Sequence, residues 1–510
     1  MSRSLVYTYA AALVSATAWG AALGYGMWLL GWIAFLPLWM VWLYRPVPLH
    51  SILKYTVAPS LLAYAGAFCV AYPWVGTHAT ASGIQAGASA LVILALLYSL
   101  PLMAGAQVAL RGRRGAGVSI WIGGWMLVDL LLQYGSWAFP WALGAHAIVD
   151  SPGTYMLVRL GGPVAGIAAI GGLHAGLLAV LQMTASKSVE KQHMRAGAVG
   201  LVLMLLGLLL GLVGFSSSLP PSTPVPPAHA WAVQPDVAPT TWANADDSTR
   251  KTRLVALTQT ALDTTSAPPA LIVWPETALH PPDTTGMQAT VNRWDVAVLT
   301  GAVLPAKTPQ PSAQTNSALL YRPHRTMQRY DKHHLVPFAE AVPGAQGWQA
   351  LRRFALEQPN ERTYVSGPGP VAFSHDDFSF VPLICFESLA APLVARLDTD
   401  LIPARALITL GQTGWWRRAL PAQQHVQYSR LRAMETGRPL LVASVSGPTT
   451  LIAPSGAPTV LAPFGDAAVA SVRWPASHPP GWYMRTAPYT DIAWTALALL
   501  LVSVPLRWLS

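Results

Sequence analysis

Val381-Pro382-Leu383-Ile384-Cys385-Phe386-Glu387 sets a short apolar run directly against a cysteine and a carboxylate. A run of that length predicts a buried strand, and it places Cys385 at the strand's end. Two other stretches are built alike: Leu271-Ile272-Val273-Trp274-Pro275 leads into Glu276, and Lys332 precedes His333-His334-Leu335-Val336-Pro337. A thiol, a carboxylate and an amine offered at strand ends are the parts of a covalent acyl-transfer site. Reactive side chains of α/β sheets gather at strand ends, so the three are candidates for one pocket.

The chain around these runs, from 230 to 487, alternates short β-rich apolar runs with longer helical stretches. Strands are expected at 230–234, 271–274, 296–303, 318–321, 380–384, 406–410, 440–445 and 449–452, and helices at 248–264, 346–356 and 423–436. A layered α/β domain follows, with Pro454-Ser455-Gly456 as a turn.

The remainder of the 510 residues belongs in another solvent. The chain is 53% hydrophobic and 11% charged, with a mean hydropathy of +0.39, which is too apolar for an ordinary soluble protein. A transmembrane helix needs about 20 apolar residues. Residues 5–44 are long enough for two, bending at 24–26, and further spans are expected at 54–74, 87–110, 117–135, 157–182, 196–215 and 489–507. The organisation read from this is a transmembrane helical domain over 1–215 with about seven spans, a Pro-rich linker at 216–229, the globular domain at 230–487 and a C-terminal transmembrane helix in 488–510. The first apolar run is too long for a cleaved signal peptide and is expected to be retained.

The formal charge of +10 is distributed by position. Arg3, then Arg45 and Lys54, then Arg111, Arg113 and Arg114, then Lys187, Lys191 and Arg195 fall in alternate loops, whereas 75–86 and 136–156 hold neither Lys nor Arg. The positive-inside rule then puts the N-terminus in the cytoplasm and the globular region outside. No basic stripe with interleaved aromatics marks a nucleic-acid surface, and no nucleic-acid partner is expected. The cation-free loop 136–156 carries Trp137, Phe139 and Trp141, which suit either interfacial anchors or the wall of a lipid site.

There are two cysteines, Cys69 in an apolar span and Cys385 in the globular part. That placement argues against a disulfide, and Cys385 is expected to be a free thiol. His and Cys residues lack metal-ligand spacing, and neither a phosphate-binding Gly loop nor a Gly-x-Ser-x-Gly elbow occurs. Chemistry without metal or cofactor is therefore expected.

Trp274-Pro275-Glu276-Thr277-Ala278, the segment from Asp331 through Lys332 to Glu340, and Ile384-Cys385-Phe386-Glu387 together resemble the three catalytic motifs of the nitrilase, or carbon-nitrogen hydrolase, superfamily. The membrane frame resembles its apolipoprotein N-acyltransferase branch, as does the segment Gln424-His425 through Arg430, Arg432, Ala433 and Glu435. The resemblance implies a polytopic bundle of about eight transmembrane helices carrying an extracytoplasmic α-β-β-α sandwich, in a bacterial inner membrane with the catalytic domain on the periplasmic side. It also implies Cys385 as nucleophile, Glu276 as general base and acid, and Lys332 as the oxyanion-stabilising cation. The Phe386 N–H is expected as a second oxyanion donor; the resemblance implies Glu340 and Glu387 as supporting acids, and Trp415 and Trp416 are candidate substrate contacts. The implied reaction moves an acyl chain from a phospholipid donor, through a thioester, to a diacylated apolipoprotein acceptor.

Two departures stand out. The family usually reads Ser-Asn-Asp-Ala-Trp-Phe where this chain has Gly411-Gln412-Thr413-Gly414-Trp415-Trp416, so that edge is expected to be held less firmly. Phe386 stands where Tyr is usual. The alternatives are a membrane-tethered nitrilase-type amidase, similar to the proteins of conjugal-transfer loci, and a catalytically inactive envelope assembly platform. The loop over 343–370 is a candidate lid.

Overall fold

The computed structural model describes residues 3–44, 51–78, 81–135, 137–185, 229–245, 247–280, 284–306, 313–337, 339–341, 363–395, 404–416 and 418–507. The expected span at 196–215, the linker up to residue 228, the helix at 346–356 and most of the candidate lid lie outside these residues.

The apolar part is a helical bundle: α1 Arg3–Tyr25, α2 Trp28–Ile33, α3 Leu36–Tyr44, α4 Ile52–Ala71, α5 Ala81–Leu110, α6 Arg114–Leu131 and α7 Thr154–Ala185. Small residues let its backbones approach closely, which is how helices pack where solvent gives no hydrophobic push. A Cβ on Gly24 of α1 would sit 2.8 Å from the Ala71 Cα of α4. Trp19, Phe35, Tyr64, Trp121 and Trp125 interlock at the centre, Phe35 lying 5.0 to 5.6 Å from each of the other four rings. Among the described residues, five helices are long and apolar enough to cross a membrane, including the last helix of the chain. The second helix expected within 5–44 is instead the short pair α2 and α3. Its ladder breaks at Pro37, the second residue of α3, which has no N–H to offer, and the Phe35 N–H donates instead to His174 Nε2 of α7 at 3.3 Å.

The globular part holds two sheets. With β1 Ala230–Gln234, β2 Leu271–Val273, β3 Ala297–Pro305, β4 Ala313–Arg322, β5 Arg325–Asp331, β6 Thr363–Tyr364, β7 Phe373–His375, β8 Phe378–Ile384, β9 Ala406–Gly411, β10 Leu440–Ser444, β11 Thr449–Ile452, β12 Pro458–Ala462 and β13 Ala468–Val472, the first sheet runs β13-β1-β2-β3-β4-β5 with β6 on β4, and the second β12-β11-β10-β9-β8-β7. Period-2 alternation gives the central strands two buried faces. Ala230, Ala232, Leu271 and Val273 turn inward with Phe380, Ile384 and Ile408 of the other sheet. Trp231, Val233 and Ile272 turn outward under α8 Pro239–Asn244, α9 Asp247–Thr264 and α10 Thr284–Trp294. Val381, Leu383 and Leu407 turn outward on the second sheet, under α11 Ala391–Ala395 and α12 Ala419–Thr436, and α13 Trp482–Arg507 closes the chain. Helix, sheet, sheet, helix is the layer order.

This layering seats the site. Strands β2 and β3 are parallel, β4 is antiparallel to both its neighbours β3 and β5, so β2 and β5 end on the same edge. Glu276 and Lys332 follow those ends, and Cys385 follows β8 of the facing sheet. Helix α12 turns its other side to the bundle, where Gln424 Nε2 donates to the carbonyls of Gly24 and Ala71 at 3.1 and 2.8 Å.

Candidate active site

Cys385 takes a left-handed backbone conformation, φ +50°, where β8 breaks into the 3-10 turn Cys385–Leu389. A non-glycine residue held there costs about 1–3 kcal/mol and persists only where its surroundings fix it. The reversal swings the thiol out of the strand and leaves the Phe386 N–H in the first turn, which the turn's own ladder does not use.

Glu276 sits in the turn after Trp274-Pro275, 6% exposed, and accepts from Asn316 Nδ2 at 2.8 Å and from the Cys385 thiol. The turn is pinned from outside: Trp242 Nε1 and Arg250 donate to the Thr277 hydroxyl and carbonyl, each at 3.0 Å. Burial raises the Glu276 carboxyl above its ordinary range and Glu340 adds to this, while Lys332, Asn316 and the thiol oppose it. A carboxylate whose affinity for protons is lifted this way accepts a proton more readily than a free one.

Lys332 is 1% exposed and its Nζ lies 2.8 Å from Glu340 Oε1. Burial acts against the ammonium, but Glu340 and then Glu276 outweigh it and hold Lys332 above the ordinary lysine range. Glu340 is fixed in turn by the Val336 N–H at 2.8 Å and by Asn316 Nδ2 at 3.4 Å. One asparagine thus spans both carboxylates. The thiol is pushed well above its ordinary range, by burial first and then by Glu276, against the pull of Lys332 and the Gln412 N–H. The sequence suggests an ammonium that favours a standing thiolate; burial outweighs it and keeps the proton on the sulfur, beside the Glu276 carboxylate that accepts from it.

Glu387 is fully buried. Its Oε2 accepts from the Ile384 N–H at 2.8 Å, and its Oε1 from the Tyr330 hydroxyl at 2.6 Å and the N–H groups of His333 and His334 at 2.8 and 3.0 Å. It ties the loop after Lys332 to the residue before Cys385. Both histidines pack in that loop, His333 Nδ1 2.7 Å from the Gly367 carbonyl.

The bundle supplies a wall. Phe386 stacks on Trp141 (centroids 6.2 Å, interplanar 4°), lies 5.4 Å from Phe139 and stacks on His334 at 5.7 Å. Of the three aromatics of the cation-free loop, Phe139 and Trp141 line the nucleophile's turn, while Trp137 is 52% exposed. Trp415 stacks flat on His78 at 5.8 Å; the Trp416 side chain lies outside the described residues. The departing 411–416 loop is fastened rather than loose, because the Thr413 hydroxyl sits 2.9 Å from both Ser444 Oγ and the Gly447 carbonyl. Among the described residues no His, Cys, Asp and Glu cluster suits a metal ion. Sequence reasoning missed Asn316, Gln412 and His425 as site residues.

Residues 232–476 match the carbon-nitrogen hydrolase family. The chain is 30% identical to an apolipoprotein N-acyltransferase of Verminephrobacter eiseniae over 72% of its own length and 68% of the relative, and 29% identical to one of Ralstonia nicotianae over 72% and 69%. A solved CN-hydrolase superfamily protein from Xanthomonas campestris superposes with a TM-score of 0.37 at 15% identity, covering 53% of this chain and 97% of that one. With its α/β layers, its apolar helices and this likeness along the chain, the protein belongs to the apolipoprotein N-acyltransferase family of carbon-nitrogen hydrolases.

Proposed function

We propose that the chain transfers an acyl group from a membrane phospholipid to the N-terminal amine of a diacylglyceryl-cysteine on an apolipoprotein, through a thioester at Cys385. Glu276 takes the thiol proton as the sulfur attacks the ester carbonyl, and the Lys332 ammonium and the Phe386 N–H receive the negative charge that develops on oxygen. Collapse expels the lysophospholipid alkoxide, which takes the proton back from Glu276. The acceptor amine then attacks the thioester, Glu276 receives its proton, and the departing thiolate is reprotonated. The observation that carries this reading is the buried Glu276–Cys385–Lys332 cluster whose rim, Phe139 and Trp141, is contributed by the helical bundle. A lipid ester reaches such a site without leaving its membrane. Trp415, stacked on His78 of the helical part, is a candidate contact for the lipid chains.

The same reading sets about eight spans, one of them at 196–215, in a bacterial inner membrane with the α/β domain on the periplasmic side. It is supported by an agreement between charge and contact. The loops that touch the α/β domain, through Tyr72, Trp141 and Asp150, lie in the stretches poor in Lys and Arg, as an external face requires.

Purified protein incubated with phospholipid labelled in its acyl chain tests the reading. A hydroxylamine-labile label on Cys385, discharged by a diacylated lipopeptide amine, is the expected result. Discharge only to water would make the protein an amidase or hydrolase, and full function of Cys385→Ala in cells would make it a platform.

A further inference from the structure

The motif Gln424-His425 has no part in the chemistry above, yet it joins the nucleophile to the bundle. His425 is 2% exposed, and its Nε2 lies 3.1 Å from the Cys385 carbonyl oxygen. A carbonyl only accepts, so Nε2 carries the proton. Nδ1, buried and without a hydrogen-bond partner, is then an unprotonated acceptor. Protonating it would bury a second cation near Lys332, and burial holds the imidazole neutral, at about 4. The Ser388 hydroxyl donates to the same carbonyl at 3.1 Å. The carbonyl is thus gripped on the residue whose backbone is left-handed.

The neighbours of His425 on α12 are fixed to the membrane helices. Gln424 Oε1 accepts from Trp74 Nε1 at 2.8 Å while its Nε2 reaches Gly24 and Ala71, and the Tyr428 hydroxyl donates to the Leu23 carbonyl at 3.0 Å. Tyr428 also stacks on His146 at 3.9 Å and 8°. One residue before His425 and three after it, the helix is therefore bolted to the bundle.

We propose that His425 is a positioning residue: its Nε2–H holds the Cys385 carbonyl, and through Gln424 and Tyr428 it references the nucleophile's backbone turn to the membrane helices. It touches neither substrate nor the reacting atoms. Its effect is on how closely the thiol meets Glu276, and misplacement of that order costs rate far more than binding.

This rests on Cys385 as nucleophile, so the test reads the thiol separately from the phospholipid. In the full-length protein, the rate at which iodoacetamide modifies Cys385 is followed by mass spectrometry of its peptide, beside kcat and KM for acyl transfer from phospholipid. His425→Ala should slow alkylation and lower kcat by about tenfold or more with KM unchanged, and His425→Gln, whose amide can donate as Nε2 does, should return both to within about threefold of wild type. Gln424→Leu should slow Cys385 alkylation in the same direction from outside the site. Wild-type alkylation and kcat in His425→Ala would overturn the proposal, as would a folded but unrescued His425→Gln. If His425→Ala does not fold, His425→Gln decides alone, and failure of both to fold also overturns it, since the residue would then be a requirement of the fold. If wild type forms no phospholipid thioester, the alkylation series still decides on His425.

Discussion

Gly301 of β3 stands where a Cβ would come within 2.6 Å of both the Glu276 Cα and the Thr277 nitrogen. Its N–H donates to the Pro275 carbonyl at 3.1 Å, so strand and catalytic turn lie in direct contact. Adding one methyl must push the turn outward. Gly301→Ala is expected to lower kcat by about a hundredfold, since a shift of about 1 Å at a reacting group has that effect. Measured kcat and KM for acyl transfer check it, and an unchanged kcat would show that the turn does not set the base.

Glu387 receives four donors, and a carboxylate can only accept. An amide cannot match them, because its NH2 would face N–H or O–H. Glu387→Gln is therefore expected to destabilise the α/β domain by about 2–3 kcal/mol and to reduce thioester formation, by freeing the loop after Lys332 from the Cys385 turn. Denaturant unfolding and acyl-enzyme yield on the same samples test this. A stable but inactive variant would instead place Glu387 in direct contact with the reaction.

The pH dependence follows from the raised Glu276 carboxyl. The base works when ionised, so activity is lost as pH falls through its pKa. Because burial lifts that value, the loss should begin above the pH at which a free Glu titrates, about 4.3. Lys332 is held above the ordinary lysine range, so deprotonation of the ammonium should not limit the alkaline side below about pH 10. A pH profile of Cys385 acylation is the measurement, and an acid limb at or below the free-Glu value would contradict the burial argument.

Asn316 bridges Glu276 and Glu340 through one Nδ2. Asn316→Leu removes that bridge and leaves the buried Glu276 and the part-buried Glu340 without their shared amide donor. Loss of the two bonds should cost about 10²-fold in kcat with smaller change in KM, as expected for groups that position a base. Single-turnover kinetics of thioester formation would show it.

The strands legible in the sequence are those with two apolar faces. Residues 230–234 and 449–452 coincide with β1 and β11 in full, and 406–410 falls one residue short of β9. Strand β5, Arg-Thr-Met-Gln-Arg-Tyr-Asp, escapes notice because its side chains are mostly polar and half-exposed, and β12 because three of its five residues are exposed. The reactive trio was legible since a thiol, a carboxylate and an amine each abut an apolar run. Asn316 was not, as it lies inside β4 with nothing local to mark it, and only the pairing of β4 with its neighbours brings it beside Glu276. His425 had been noticed as part of a motif without a role, because its partner is a backbone atom forty positions away in sequence. The break between α2 and α3 does have a local mark, Pro37, which has no N–H for the helical ladder.

The Trp141 ring that lies flat on Phe386 belongs to a different layer of the molecule from the strand that Cys385 follows. A fragment cut at residue 229 would keep Glu276, Lys332, Cys385 and the apolar closing helix α13, and would lose the ring packed against Phe386. Transplanting the site to another anchor would therefore mean moving residues 138–142 along with the sandwich, since Phe139 and Trp141 pack against the residue that follows Cys385.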